Sequence, residues 1–342
     1  MTTAVVICPG RGTYNKAELG YLAQHFPDAE MLAGFDVLRE NAGQTTLTEL
    51  DSAPRYSSAR HSRGDNASGL IYAATLGDFM SIDRDRIEVV AVTGNSMGWY
   101  STLACAGAVS ANVGFNLANT MGTLMQAAMI GGQLIYPFVG EDWRADPARK
   151  ADLMAQVHEI NAQADHVLAL SIDLGGMLVL AGNEAGLSAF EAAVPRSRDR
   201  FPMRLPNHAA FHTGLQSDIA KQGRDQIDAT GFGQPAIPMI DGRGAIWWPR
   251  ATKTGALWEY TLGHQVTETY DFTRAVSVAA REFAPDLFII TGPGSTLGGA
   301  VAQSLILAEW RGMRSKQDFQ KRQKQVPLLA SMGMESQRSS VI

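Results

Sequence analysis

The sequence predicts an α/β protein whose large domain, built around a parallel sheet, carries a small inserted domain. Two short β-branched runs, residues 4–8 and 87–93, end at glycine-containing turns before helical stretches, which is typical of buried parallel strands. Between residues 132 and 205 the pattern changes to a β-α-β-β-α-β order. A further apolar strand, residues 287–291, leads through Gly292-Pro293-Gly294 into another helix. This alternation of strands and helices favours the α/β class.

The first part of the chain supplies half of the large domain. The strand at residues 4–8 stops at Pro9-Gly10, and a helix follows near residues 17–25. The polar stretch 41–68 is expected to hold loops and short helices. The second strand lies among helices predicted at residues 68–79, 97–108 and 115–130.

Residues 132–205 are predicted to form the inserted domain. Its order of elements is that of a ferredoxin-like unit. The turn at Asp173-Leu174-Gly175-Gly176 has the residues of a hairpin. Strands are predicted at residues 133–139, 166–172, 177–181 and 201–205, and helices at residues 147–162 and 184–194.

The large domain is expected to comprise residues 1–131 and 206–310. Its second part is predicted to contain helices at residues 214–229 and 269–283 and strands at residues 238–240 and 287–291. Residues 311–342 are expected to be a C-terminal extension. Because the end of this segment is rich in Lys, Arg and Gln without a clear apolar face, its last residues, about fifteen of them, are predicted to form a loose tail.

Composition excludes several classes of protein. The 342 residues are 45% apolar and carry a formal charge of −5, which suits a globular fold and argues against broad binding to nucleic acid. Cys8 and Cys105 are too few for a disulfide framework or a four-thiolate zinc site. No apolar run is long enough for a membrane span, and the first residues lack a basic leader pattern. A soluble cytoplasmic protein is therefore expected.

The strongest local motif is Gly94-Asn95-Ser96-Met97-Gly98, which follows a strand and opens a helix. This is the context in which G-x-S-x-G forms the nucleophile elbow of α/β-hydrolase-like folds. The glycines permit a sharp turn, and the helix N-terminus favours negative charge developing beside Ser96. The alternative is a glycine turn in which Ser96 only caps the helix.

A nucleophilic serine needs a base. Of the seven histidines, His208 and His212 share one loop that follows the predicted insertion. By residue type and position alone, either of them could be that base, and either could be a packed or solvated histidine.

At this point the sequence resembles the malonyl-CoA:acyl-carrier-protein transacylase family, which includes the acyltransferase domains of polyketide synthases. The resemblance covers roughly residues 4 to 310, and four motifs carry it in the family's order. The motifs are Cys8-Pro9-Gly10-Arg11-Gly12, Gly94-Asn95-Ser96-Met97-Gly98 continued by Trp99-Tyr100-Ser101, Leu205-Pro206 with His212, and Gly292-Pro293-Gly294.

The resemblance implies a role for each matching residue. Ser96 would take the acyl group from a CoA thioester, and His212 would remove its proton. The backbone N–H groups of Arg11 and Met97 would form the oxyanion hole. The main-chain carbonyl of Gln265 would orient the histidine, in place of the usual third acid.

One departure bears on the substrate. Malonyl-type members place an arginine in the helix after the elbow, where it pairs with the free carboxylate of the substrate. Met121 stands at that position here, and a methionine cannot make this pair. A malonyl group is therefore disfavoured unless another cation, such as Arg11, replaces the arginine. Arg11 could instead contact CoA phosphate or the carrier protein, or be solvated.

Three other residues are expected to shape the substrate pocket. Asn95 replaces a histidine of the family and Trp99 replaces a glutamate, and both changes would alter the pocket wall. Phe211 lies in a stretch that resembles the variant associated with unbranched malonyl extenders. Its bulk would leave little room for an α-methyl group.

The implied function is acyl transfer from an acyl-CoA to the phosphopantetheine thiol of an acyl carrier protein, in fatty acid or polyketide biosynthesis, through an acyl-serine intermediate. The acyl group is malonyl by family, or a carboxyl-free short acyl group by the Met121 argument. Two alternatives stay open: a thioester hydrolase acting on acyl carriers, and a non-catalytic paralogue that docks carriers. No bound cofactor, metal, nucleic acid or membrane is expected.

Overall fold

The computed structural model describes residues 1–342, which fold into two sheets surrounded by helices. The strands are β1 Thr2–Cys8, β2 Ile87–Gly94, β3 Gly132–Pro137, β4 Leu168–Leu174, β5 Met177–Gly182, β6 Met203–Arg204, β7 Met239–Ile240, β8 Ile246–Trp247, β9 Tyr270–Asp271, β10 Leu287–Ile290 and β11 Leu329–Ser331. The helices are α1 Tyr21–His25, α2 Ala29–Asn41, α3 Leu47–Asp51, α4 Ser58–His61, α5 Gly64–Ser81, α6 Gly98–Cys105, α7 Ala111–Ala128, α8 Pro147–Asn161, α9 Glu184–Ala193, α10 Ser217–Gln226, α11 Thr254–Glu259, α12 Gln265–Thr267, α13 Phe272–Phe283, α14 Leu297–Leu307, α15 Lys316–Gln325 and α16 Glu335–Arg338. None of these helices combines the length and the apolar character needed to cross a membrane.

The larger sheet has the strand order β11-β10-β1-β2-β7-β8. Its neighbouring strands are parallel except for the final pair, β7 and β8. The side chains from Ala4 to Cys8 on β1 are fully buried, as a continuous apolar run in a covered parallel sheet should be. The predicted mixed α/β class with a parallel sheet is confirmed.

The smaller sheet has the order β6-β3-β5-β4-β9. β3, β4, β5 and β6 pair antiparallel, and α8 and α9 pack beside them over a separate apolar cluster that includes Phe138 and Phe190. β9 pairs parallel with β4, although its residues 270–271 lie outside the segment 132–205. The smaller sheet therefore takes one edge strand from the chain that follows the predicted insertion.

The expectation of a loose C-terminal tail is wrong. β11 forms an edge of the larger sheet, where Leu329 pairs with Phe288. α16 ends at Arg338, whose buried guanidinium lies 2.5 Å from the Asp78 carboxylate. The sequence of this segment is mostly polar. A strand of three residues and a single buried cation are too little to produce a periodic apolar pattern in it.

Candidate active site

The turn between β2 and α6 has the geometry of a nucleophile elbow. Ser96 has φ 54°, in the left-handed region that is strained for a residue with a side chain. A Cβ on Gly94 would lie 2.4 Å from the backbone of Gly98, and one on Gly98 would lie 2.2 Å from the carbonyl oxygen of Cys8. The two glycines thus allow β1, β2 and α6 to approach closely enough to hold Ser96 in this turn.

We expect Gly98→Ala to destabilise the protein by about 1–3 kcal/mol, because the added methyl group would press on the backbone of β1. Urea unfolding followed by circular dichroism measures this change. Gly34→Ala is the matched control. Gly34 lies within α2, where a new Cβ would meet no atom within 4 Å, so the change should stabilise by about 0.5–1 kcal/mol. An equal response of the two variants would contradict the close-approach explanation.

The elbow serine lies against a histidine from a distant part of the chain. Ser96 Oγ is 2.7 Å from Nε2 of His212, and Nδ1 of His212 is 2.6 Å from the main-chain oxygen of Gln265. Because a carbonyl oxygen only accepts, Nδ1 carries the proton and Nε2 is free to accept from the serine hydroxyl. The three residues thus form a relay from hydroxyl to imidazole to carbonyl.

The surroundings keep the imidazole of His212 neutral. Burial lowers its pKa to about 4, since a charged ring would lose its hydration. The Gln265 carbonyl raises this pKa and His264 lowers it further, both to a smaller extent. His212 is therefore a neutral proton acceptor near pH 7.

The other histidine of the loop is not next to the serine. His208 Nδ1 is 2.8 Å from the carbonyl oxygen of Pro206, a local contact within the loop. Burial and the charge of Arg11 lower its pKa to about 3. The structure thus places His212, and not His208, at the Ser96 hydroxyl.

The side chains of Gln265, Tyr100 and Tyr270 brace the elbow, and none of these three roles was predicted. The side-chain amide of Gln265 donates to the carbonyl oxygen of Ser96 at 3.1 Å and accepts from the Tyr100 hydroxyl at 3.2 Å. The Tyr270 hydroxyl donates to the carbonyl oxygen of Gly94 at 2.7 Å. Tyr100 could have been suspected from its place just after the elbow motif, whereas Tyr270 has no local signal.

The backbone N–H groups of Arg11 and Met97 have no acceptor within the protein. Both residues line a small cavity together with Ser96. The loop carrying Arg11 lies against the elbow, because a Cβ on Gly10 would be 2.5 Å from the carbonyl oxygen of Asn95. Free N–H groups at this position are suited to an oxygen that becomes negative.

This small cavity, which we call the inner cavity, has a volume of about 40 Å³. Its walls include the buried Met121 and Met125 of α7 and the partly buried Phe211. Since one water needs roughly 10–15 Å³, the space has room for a short acyl chain.

An outer cleft of about 600 Å³ meets the inner cavity at Arg11 and Ser96. Its walls come from β3, β4 and β5 of the smaller sheet on one side and from α14 on the other. Asn95 lines this cleft, and its Oδ1 atom is buried without a hydrogen-bond partner.

The expectation that Trp99 forms the pocket wall is wrong. Its side chain has no solvent exposure and lines neither the inner cavity nor the outer cleft. The indole N–H donates to Thr261 Oγ1 at 3.0 Å, and the ring packs edge-on against Tyr260. Position 99 follows the first residue of α6, so its side chain turns into the core.

No group of three or more His, Cys, Asp or Glu side chains is arranged to hold a metal ion.

The structure brings together the predicted site residues. Around the inner cavity lie Arg11, Ser96, Met97, Met121, Phe211 and Gln265, with His212 at the serine and Asn95 in the adjoining cleft.

No protein-family model matches the chain. Among curated proteins, the malonyl CoA-acyl carrier protein transacylase of Salmonella typhimurium is 23% identical over 211 residues, which are 61% of this chain and 63% of that protein. The transacylase of Haemophilus influenzae is 24% identical over 309 residues, 87% of this chain and 91% of its own. The polyketide biosynthesis protein ThaF of Burkholderia thailandensis is 26% identical over 233 residues, 68% of this chain and 18% of that protein.

Solved structures share the fold. The malonyl-CoA:acyl carrier protein transacylase of Xanthomonas oryzae matches with a TM-score of 0.77 at 18% identity, covering 99% of this chain and 97% of the other. A malonyl-transacylase solved in complex with a type II polyketide synthase acyl-carrier protein matches with a TM-score of 0.69 at 18% identity, covering 98% and 100%. The chain is thus similar in sequence to malonyl CoA-acyl carrier protein transacylases and shares the fold of solved ones.

Proposed function

We propose that this protein is an acyltransferase that moves a short acyl group from a CoA thioester to the phosphopantetheine thiol of an acyl carrier protein. The observation that carries the proposal is the relay in which Ser96 Oγ lies 2.7 Å from His212 Nε2, and His212 Nδ1 lies 2.6 Å from the Gln265 carbonyl. Such an arrangement activates a serine for nucleophilic attack.

In the first half-reaction His212 accepts the proton of Ser96, and Oγ attacks the thioester carbonyl. The carbonyl oxygen becomes negative and takes hydrogen bonds from the free N–H groups of Arg11 and Met97. When the tetrahedral intermediate collapses, the C–S bond breaks and the CoA sulfur takes the proton held by His212. The acyl group is then an ester on Ser96.

In the second half-reaction the carrier thiol replaces CoA. His212 accepts its proton, the sulfur attacks the ester carbonyl, and the bond to Ser96 Oγ breaks as the hydroxyl regains a proton. The outer cleft of about 600 Å³ supports the use of thioester substrates, because Ser96 is among the residues that line it and a thioester arm could reach the serine there.

The relatives support the class of reaction and partner. Several are named malonyl CoA-acyl carrier protein transacylases, and one solved relative is in complex with an acyl-carrier protein. We propose that residues 132–205 are a ferredoxin-like insertion in a hydrolase-like domain of residues 1–131 and 206–310, and that the insertion covers the cleft. We further propose a cytoplasmic enzyme that needs no bound cofactor.

Intact mass measurement after incubation with malonyl-CoA tests the proposal. The protein is expected to gain the mass of the acyl group, and a holo acyl carrier protein added afterwards is expected to remove that mass and acquire it. Release of free acid without acylation of the carrier would show a thioester hydrolase instead. Absence of an adduct from malonyl-, acetyl- and propionyl-CoA would favour a non-catalytic protein that docks carriers.

The rate of acylation should be level near neutral pH and fall about tenfold per unit once the pH drops below the pKa of His212. That pKa is about 4, and only the neutral ring, which predominates above it, accepts the serine proton. Rapid-quench mass measurement across a pH series gives the rate, with circular dichroism at each pH to exclude unfolding. A midpoint near 6.5, the ordinary value of histidine, would contradict the effect of burial.

A further inference from the structure

Among the side chains lining the inner cavity, Arg11 is the one strong cation. The other basic side chain there, His208, is neutral at pH 7 because burial lowers its pKa to about 3. Arg198, Arg200 and Lys316 line the outer cleft but not the inner cavity. A negatively charged group in the inner cavity therefore has Arg11 as its available partner.

Neutral atoms alone hold the guanidinium of Arg11. Nη2 donates to the carbonyl oxygens of Ser62 at 2.9 Å and Asn207 at 2.7 Å, and Nη1 lies 3.4 Å from the sulfur of Met125. Nε is buried and has no hydrogen-bond partner. An unpartnered donor on a buried cation is costly, so the site lacks one acceptor that a ligand could supply.

The nearby acidic group does not fill this gap. Asp65 attracts Arg11 through space but makes no hydrogen bond to it, and both Asp65 oxygens accept from Arg63. Burial lowers the pKa of Arg11 to about 10, an effect that Asp65 opposes. The guanidinium thus remains protonated at neutral pH while no carboxylate is bound to it.

The guanidinium of Arg11 lies against the α7 side of the inner cavity. Met125 and Met121 lie one turn apart on α7, and both line the inner cavity. The contact between Arg11 and the Met125 sulfur therefore brings a cation from the loop after β1 to the α7 wall of the cavity, beside the two methionines.

We infer that Arg11, from the loop after β1, takes the place of the arginine missing at Met121 and binds the free carboxylate of the acyl group that Ser96 accepts. The inference rests on the proposed function and assigns the residue that selects its substrate. A carboxylate oxygen would accept from Nε, supplying the missing partner, while Met121 and Met125 would contact the methylene portion.

Competitive loading with malonyl-CoA and acetyl-CoA tests this inference, with both acyl-enzymes counted by intact mass. We expect the malonyl-to-acetyl ratio to fall roughly 10- to 100-fold in Arg11→Gln, the range expected for a lost charge-assisted hydrogen bond. Arg11→Lys, which keeps the charge, should retain most of the preference. In Arg11→Gln with Met121→Arg, a cation returned to the same cavity should restore part of it.

Arg60→Gln is the matched control. It also removes one positive charge, but Arg60 pairs with Glu49, is 40% exposed and lines neither the inner cavity nor the outer cleft. Its malonyl-to-acetyl ratio should equal that of the unmodified protein. The acetyl adduct in each variant shows that the preparation is folded and competent.

The outcomes separate the inference from the proposed function. Equal losses of malonyl and acetyl loading in Arg11→Gln would assign Arg11 to the CoA portion and overturn the inference, and so would an unchanged ratio. A preference of the unmodified protein for acetyl-CoA would overturn it as well. Absence of any adduct on the unmodified protein would instead overturn the proposed function.

Discussion

Replacing Ser96 by alanine is expected to eliminate the acyl adduct and to lower acyl transfer by about 10³-fold or more. The change removes the single hydroxyl that lies 2.7 Å from His212 Nε2, so the histidine keeps its contact with Gln265 but has no nucleophile to activate. The backbone and the two elbow glycines are unaltered. Intact mass after incubation with malonyl-CoA, together with carrier acylation on a gel, measures both effects.

Ser101→Ala provides a matched control for that result. Ser101 lies on α6 just after the elbow, is fully buried, and its hydroxyl has no hydrogen-bond partner. Its replacement removes the same kind of atom five residues further along and should leave the adduct intact. An adduct that survives in Ser96→Ala would place the nucleophile elsewhere and contradict the relay.

The second large effect concerns stability. We expect Arg338→Met to lower the free energy of unfolding by about 3–5 kcal/mol, because it leaves a buried carboxylate without its cation. Arg338 lies 2.5 Å from Asp78, whose carboxylate also accepts from the Tyr21 hydroxyl and from the backbone N–H of Gly292. Burial already raises the pKa of Asp78. Urea unfolding at pH 7 measures the loss.

Arg314→Met is the control for this prediction. Arg314 also forms an ion pair, with Glu309 at 2.8 Å, but both side chains are largely exposed. An exposed pair contributes about 0–1 kcal/mol, so this variant should unfold close to the unmodified protein. Equal losses in the two variants would show that removal of any arginine from the C-terminal segment has the same cost. The smaller sheet and the elbow should be unaffected in both.

The parts of the site that were predictable are those encoded locally. Gly94, Ser96 and Gly98 define the elbow because the turn itself demands small residues at fixed spacing. The choice of His212 over His208, in contrast, could not be made from local residues. Residue type and position left both open, and a resemblance to a known family was needed to choose, because the contact with Ser96 spans 116 positions of the chain.

Other features of the fold were not predicted. β9 and β11 are two and three residues long, so their pairing with distant strands decides that they are strands at all. Trp99 was expected in the pocket because a motif gives the order of residues but not the direction of each side chain. The helix α2 was not predicted, although Asp28 accepts from the N–H of Met31 in the manner of an N-terminal cap.

The order of strands in the larger sheet has a consequence for synthesis of the protein. β1 is made before the other strands of this sheet, yet one of its two neighbours, β10, lies more than 280 residues further along, and β11 follows later still. On the ribosome, the apolar run of β1 therefore stays without this neighbour until more than 280 further residues have been made. Pairing of strands so far apart in the chain slows folding and leaves an apolar strand edge unpaired and prone to aggregation. Chaperones that shield nascent chains should therefore increase the yield of native protein.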